Sequence, residues 1–216
     1  MKHYPRTVGG AHPRSGTGLC CPSANHAQPS CATAPFPARL LSIASAKSPA
    51  MILRSERPAD AGAIRALTKA AFAGAPHASG TEAAIVDALR RDGALALSLV
   101  AEEAQGIVAH LCFSPVRIGG RDCGWFGLGP VSVAPHRQGE GIGSRLIREG
   151  LSRLRNLPGT SGCVVLGDPG FYARFGFTPD PGLTFDGAPP EYFLQGTFSG
   201  STPEGAVTYH PAFYQG

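Results

Sequence analysis

Three glycines recur at every second position in HRQGEGIGSRLI, residues 136–147, directly ahead of an apolar-periodic stretch. Glycine in a helix costs about 1 kcal/mol relative to alanine, so Gly139, Gly141 and Gly143 need a separate reason to be there. A strand, a glycine-rich turn and a helix N-terminus together present free N–H groups, an arrangement suited to a pyrophosphate. Two nucleotide motifs fail on spacing. The dinucleotide fingerprint needs G-x-G-x-x-G and an acid about 20 residues on. Here the glycines run G-x-G-x-G and the first candidate acid is Asp168. A P-loop needs Gly-Lys-Ser/Thr, whereas Gly143 precedes Ser144 and Arg145. The plain alternative is a tight turn in which glycine merely packs.

A second punctuated segment is GDPGFYARFGF, residues 167–177. Asp168 suits an N-cap and Pro169 a first helical position, and Gly176 can stop the helix. Tyr172 then sits about one turn into a short helix.

Other elements must position these two segments. MILRSER (51–57) reads as a short strand, and Asp60–Phe72 as a helix with Ile64, Leu67 and Ala71 at helical spacing. Thr81–Arg91 repeats the pattern with Ile85, Ala88 and Leu89, and Gly93 caps it. LALSLVAE and GIVAHLCFSPVRI are β-type runs split by a hairpin signal at 103–106. WFGLGPVSVAP is a strand interrupted by Gly129-Pro130; proline cannot serve a central ladder, so a bulge or an edge is expected there. A helix over Ile142–Leu154, the buried-type strand CVVLGD, the stretch GFTPDPGLTF and a last strand in GAVTYHPAF complete the chain. The pattern is a mixed α/β single domain with a central, largely antiparallel sheet.

Charge and cysteine usage narrow the class. The formal charge of +4 resides upstream: residues 1–50 hold five Lys or Arg, seven Pro and no Asp or Glu. From Met51 onward 14 basic residues face 15 acidic ones, so no nucleic-acid footprint is expected. No apolar run approaches the roughly 20 residues of a membrane span. Residues 1–50 are expected to be disordered, either as a transit-like segment or as a stretch upstream of a true start at Met51. Cys112, Cys123 and Cys163 are dispersed singly without ligand spacing, which suggests core or idle thiols, no metal and a cytoplasmic location.

VSVAPHRQGEGIGSRLI resembles the acetyl-CoA-binding motif of the GNAT acetyltransferases, Gln/Arg-x-x-Gly-x-Gly/Ala, through Gln138, Gly141 and Gly143, with Gly139 and Ser144 also typical. VLGDPGFYARFGF is similar to the second half of that signature through Tyr172, Gly176 and Phe177. RPADAGAIRALTKAAF and VTYHPAF resemble a bacterial, YhbS-like branch. The resemblance spans the chain from Met51 almost to its end and implies one GNAT domain over 51–216. It implies a sheet splayed between two neighbouring strands, flanked by helices, with the pantetheine arm lying in the gap. Val131, Ser132 and Val133 would flank that arm. Gln138, Gly139, Glu140, Gly141, Ile142, Gly143 and Ser144 would face the pyrophosphate, where a side chain at 139, 141 or 143 would collide with it.

The implied reaction moves an acetyl group from the thioester of acetyl-CoA to a primary amine by direct attack in a ternary complex. The amine must shed a proton, because an ammonium of pKa about 10.4 is no nucleophile. The backbone N–H of Val131 is the candidate oxyanion donor, and Tyr172 the general acid toward the departing sulfur. His110, Asp122, His136 and Glu191 are candidate bases, and Glu82, Asp87, Glu191 and Tyr209 candidate attractors of a cationic amine. Phe171, Phe175 and Phe177 read as core, and Arg174 as a salt-bridge or carbonyl partner. The acceptor, a small molecule or a protein amine, would sit among the first two helices and the tail of a monomer or homodimer. The competing class is a non-catalytic acyl-CoA-binding module, which could keep the glycines and lose Tyr172 or the acceptor cavity.

Overall fold

The computed structural model describes residues 51–75 and 78–215; the expectations for 1–50 fall outside them. Four strands, β1 (Ile52–Ser55), β2 (Leu97–Glu103), β3 (Gly106–Ile118) and β4 (Arg121–Val133), pair antiparallel in sequence order. The β3–β4 hairpin turns on Gly119 and Gly120, at φ +55° and +75°. Two consecutive positive φ angles match the right-handed twist of a two-residue hairpin, and glycine adopts them without steric cost. The sheet continues from β4 through β5 (Gly162–Leu166), β8 (Phe193–Thr197) and β6 (Thr178–Pro179). β9 (Gly205–Thr208) pairs with the end of β3 and with β7 (Leu183–Thr184). The β4–β5 and β7–β9 pairs are parallel, and the other pairs antiparallel.

Helices cover both faces of the long strands. Leu111 and Phe113 of β3 pack with α3 (Ile142–Arg155), while Cys112 packs with Ile64 of α1 (Ala61–Phe72) and Leu89 of α2 (Glu82–Arg91). This is the period-2 alternation of a strand buried on both sides. α3 buries Ile142, Leu146, Ile147, Leu151 and Leu154. Each such side chain stabilises by roughly 1.5–3 kcal/mol, against about 1 kcal/mol for a hydrogen bond. Packing therefore fixes the position of α3 despite the glycines at its start. It approaches the sheet closely at Gly150, where a Cβ would stand 2.9 Å from Phe113.

The sequence reading missed β8, and GFTPDPGLTF resolves into two strands of two residues each. Phe193–Thr197 has no periodic signature of its own; it is a strand because it pairs with all five residues of β5. The tail strand ends at Thr208 and gives way to a 3-10 turn at Pro211–Tyr214.

Candidate active site

The sheet opens at residue 129. β4 and β5 pair from Trp125–Gly162 to Leu128–Val165 and no further. At the same point β4 carries a bulge: Leu111 faces Val131 and Phe113 faces Leu128, so Cys112 alone opposes Gly129 and Pro130. Gly129 sits at φ +140°, accessible in practice to glycine, and its carbonyl accepts from the Cys112 thiol at 3.1 Å. The bulge bends β4 away from β5, as the missing N–H of Pro130 led one to expect.

Beyond the bulge the ladder decides which backbone groups face the opening. The N–H of Ala134 donates to the Val108 carbonyl at 2.9 Å. Alternation in an antiparallel pair then turns Ser132 toward β3 and leaves Val131 and Val133 with N–H and C=O toward the gap. The Gln138 side-chain amide donates to the Val133 carbonyl at 3.1 Å, which places that carbonyl on the open edge.

The loop after β4 is pinned by Arg137. Its guanidinium donates to both carboxylate oxygens of Glu103 at 2.6 and 3.0 Å, and to Glu140 at 2.9 Å. Gly139 and Gly141 lie at φ +83° and +80°, and a Cβ on either would meet no protein atom within 4 Å. At Gly143 a Cβ would stand 3.2 Å from Val133. Room for a phosphate is thus not the one demand on these glycines. Two are required by backbone conformation, and the third lets α3 approach β4. The first helical bond runs from the Arg145 N–H to the Gly141 carbonyl, so the N–H groups of Ile142, Gly143 and Ser144 precede the helical ladder.

Three clefts join along this path. The first lies over the glycine loop and is lined by Gly139, Gly141, Gly143, Ser144, Phe171 and Arg174. The second shares Gln138, Gly143 and Phe171 with it and adds Val131 and Tyr172. The third, about 600 Å³, shares Val131 and Tyr172 with the second and extends to α1, α2 and the tail.

Tyr172 thus stands where the second and third clefts meet. It ends the single-turn helix α4 (Pro169–Tyr172), whose cap is as expected: the Asp168 carboxylate accepts from the Gly170 N–H at 2.9 Å, and Gly176 turns the chain at φ +88°. Its ring rests over Gly167, where a Cβ would come within 2.3 Å, and meets Phe171 edge-on with centroids 5.0 Å apart. Burial pushes the phenol up to about 12, so it stays protonated through the neutral range.

Not every expected residue reaches the clefts. Ser132 is buried and donates to the Thr68 hydroxyl at 3.1 Å, with its backbone turned to β3. Glu140 is exposed and engaged by Arg137. His110 is fully buried, its Nε2 lies 2.9 Å from the Ser98 hydroxyl, and burial holds its pKa down. Asp122 accepts from the Gly124 N–H and lines a separate cleft, while His136 and Glu191 are exposed outside the three. Asp87 pairs with Arg65 and Arg90, whereas Glu82 and Tyr209 line the third cleft. Cys112 and Cys163 are buried, which raises both thiols, the first to about 12.

Two residues read as structural line the path. Phe171 walls the first two clefts, and Arg174 holds its guanidinium 4.9 Å from the Phe171 ring centroid. The available signal was position: both flank Tyr172 on the same short turn. Among the described residues no cluster of His, Cys, Asp or Glu could hold a metal ion, and no helix is long and apolar enough to cross a membrane.

Comparisons with known proteins agree with this geometry. The acetyltransferase (GNAT) domain model matches residues 95–179. The N-acetyltransferase YhbS of Escherichia coli K12, itself uncharacterised, is 41% identical over 128 residues, which are 59% of this chain and 73% of YhbS. A GNAT acetyltransferase of Brucella melitensis, solved with acetyl-CoA, is 52% identical, with a TM-score of 0.68 over 76% of this chain and 98% of its own. The E. coli YhbS structure, solved with CoA, aligns at 33% identity and a TM-score of 0.71 over 78% of this chain and 94% of that one. With a splayed sheet, a glycine loop at a helix start and relatives at this level, the chain belongs to the GNAT family of N-acetyltransferases.

Proposed function

We propose that the protein transfers an acetyl group from acetyl-CoA to a primary amine by direct attack in a ternary complex. The observation that carries this reading is the open edge of β4, where the N–H and C=O of Val131 and Val133 face a gap that β5 has left. The residues fit the ligand along its length. The amides of residues 139–144 suit the pyrophosphate, the edge of Val131 and Val133 suits the pantetheine amides, and Phe171 offers an apolar wall between them. The bound thioester supplies the acetyl group.

The remaining roles fall to this chain's own groups. The Val131 N–H points at the gap, where it meets negative charge developing on the thioester oxygen. Tyr172 donates a hydrogen bond to the departing sulfur. Full proton transfer from a phenol at about 12 to a thiolate of ordinary pKa about 8.5 would run uphill by about 5 kcal/mol. Hydrogen-bond donation is therefore the favoured form of acid assistance. The N–C bond forms as the C–S bond breaks; of the two protons the ammonium sheds, one reaches the sulfur and the other goes to solvent.

The test is acetyl-CoA affinity by calorimetry together with release of free thiol in the presence of a panel of primary amines. Micromolar binding and amine-dependent thiol release are expected. Binding without release on any amine would leave a non-catalytic module and overturn the proposal.

A further inference from the structure

The third cleft carries information about the acceptor. Its described walls are mostly aromatic or aliphatic: Phe72 of α1, Ile85 of α2, Leu166 of β5, Phe185, and Phe213 and Tyr214 of the tail. Among the described lining residues Glu82 is the one ionised side chain, and neither lysine nor arginine contributes. Glu82 Oε1 accepts from the Ser79 N–H at 2.6 Å and from the Ser79 hydroxyl at 3.0 Å, which fixes the carboxylate in place.

Tyr209 supplies an independent observation. It is 8% exposed, and its hydroxyl is buried with no hydrogen-bond partner among the described residues. Buried polar groups are rarely left so. The ring cannot swing away: it lies on Gly127, where a Cβ would stand 2.3 Å off, and against Phe185 with centroids 5.3 Å apart. Tyr209 also borders the separate cleft of Asp122, which Arg117 and His210 line as well. The rings it meets, Phe185 and Phe213 with centroids 5.3 and 5.0 Å away, line the third cleft and not that one, which sets Tyr209 among the acceptor-side walls.

We propose that this cleft accepts a primary amine carried on an aromatic body that has a polar substituent and no carboxylate, with Glu82 facing the cationic end and the Tyr209 hydroxyl bonded to the substituent. The assignment rests on the transferase reading above. An apolar cavity of this size suits a small molecule. A carboxylate on the acceptor would enter the cleft opposite Glu82 with no cation to pair it, so free amino acids are discriminated against.

The test uses the full chain, acetyl-CoA and thiol release with tyramine, phenethylamine, tyrosine, putrescine and a peptide with N-terminal phenylalanine. Tyramine is expected to give the highest kcat/KM, at least 50-fold above tyrosine. Tyr209→Phe keeps the ring packing; it should lower kcat/KM for tyramine about tenfold, bring tyramine level with phenethylamine, and leave acetyl-CoA affinity unaltered. Glu82→Gln should narrow the ratio of tyramine to tyrosine. Preference for tyrosine, putrescine or the peptide overturns the acceptor assignment, as does unchanged selectivity in Tyr209→Phe. So does acetyl-CoA binding with no turnover of either aryl amine when another amine is acetylated, an outcome that leaves the transferase reading standing. Failure of the wild type to bind acetyl-CoA removes both.

Discussion

The two ends of the cleft system are built from different parts of the chain. Toward α3 the polar wall is main chain, the amides of 139–144 and the free edge of Val131 and Val133, with the Phe171 and Arg174 side chains beside it. Toward the tail the walls are side chains delivered by α1, α2, β5 and the last 3-10 turn. A main-chain wall is fixed by backbone conformation, so it tolerates little and suits one unvarying ligand. A side-chain wall can be altered one residue at a time, so it suits a partner that differs from one relative to the next. Substitutions should be close to all-or-none at the first end and graded at the second.

Gly141→Glu is the largest expected break. It places a carboxylate at the N-cap of α3 and a side chain at φ +80°, and acetyl-CoA affinity should fall more than 100-fold. Gly141→Ala separates the two causes, since it adds the backbone strain of about 1–2 kcal/mol without charge. Calorimetry on both variants, with melting curves as a fold control, reads the difference. Equal affinities for the two would remove the phosphate from this loop.

Tyr172→Phe is next, at the junction of the two ends. Turnover should drop about 100-fold, the lower range for acid–base assistance, while acetyl-CoA affinity changes less than threefold. The pH profile sharpens this. The active form of Tyr172 is protonated, and its donor role is lost only as pH rises through about 12. Rates should therefore climb as the amine deprotonates and show no descending limb below pH about 10. A limb near pH 8 would assign the proton to another group.

Ser132→Ala is the smallest. Its side chain and backbone both turn away from the gap, so acetyl-CoA affinity should stay within twofold. Loss of the buried bond to Thr68 should lower stability by about 1 kcal/mol, measured by urea unfolding. A clear loss of affinity would mean that the ladder parity across β3 and β4 is misread.

This contrast explains how much was legible in the sequence. Gly139, Gly141 and Gly143, Pro130, and the Asp168-Pro169 cap each report a local backbone requirement, and local requirements leave local motifs. The interruption of β4, the glycine loop before α3 and the short helix that carries Tyr172 were therefore visible at once. Ser132 was grouped with Val131 and Val133 because neighbours in sequence look alike, although alternation across the ladder sends them to opposite edges. Phe171 and Arg174 were read as structural because an aromatic or a cation on a short helix has no spacing that marks a wall. Phe72, Glu82, Phe185 and Phe213 converge only through the fold, from positions up to 141 residues apart. Nothing in a linear pattern marks that convergence. β8 was missed for the same reason, since its pairing partner β5 lies across an intervening segment that holds α4, β6 and β7.

The central claim is that the main-chain edge of β4 beyond the bulge receives the cofactor, and amide hydrogen exchange reads that edge residue by residue. In the free protein the N–H groups of Val131 and Val133 should exchange quickly while Ser132, bonded into the β3 ladder, exchanges slowly. Saturating acetyl-CoA should slow Val131 and Val133 at least tenfold and leave Ser132 as it was. Val131 and Val133 amides that exchange at the same rate with and without acetyl-CoA would contradict the account.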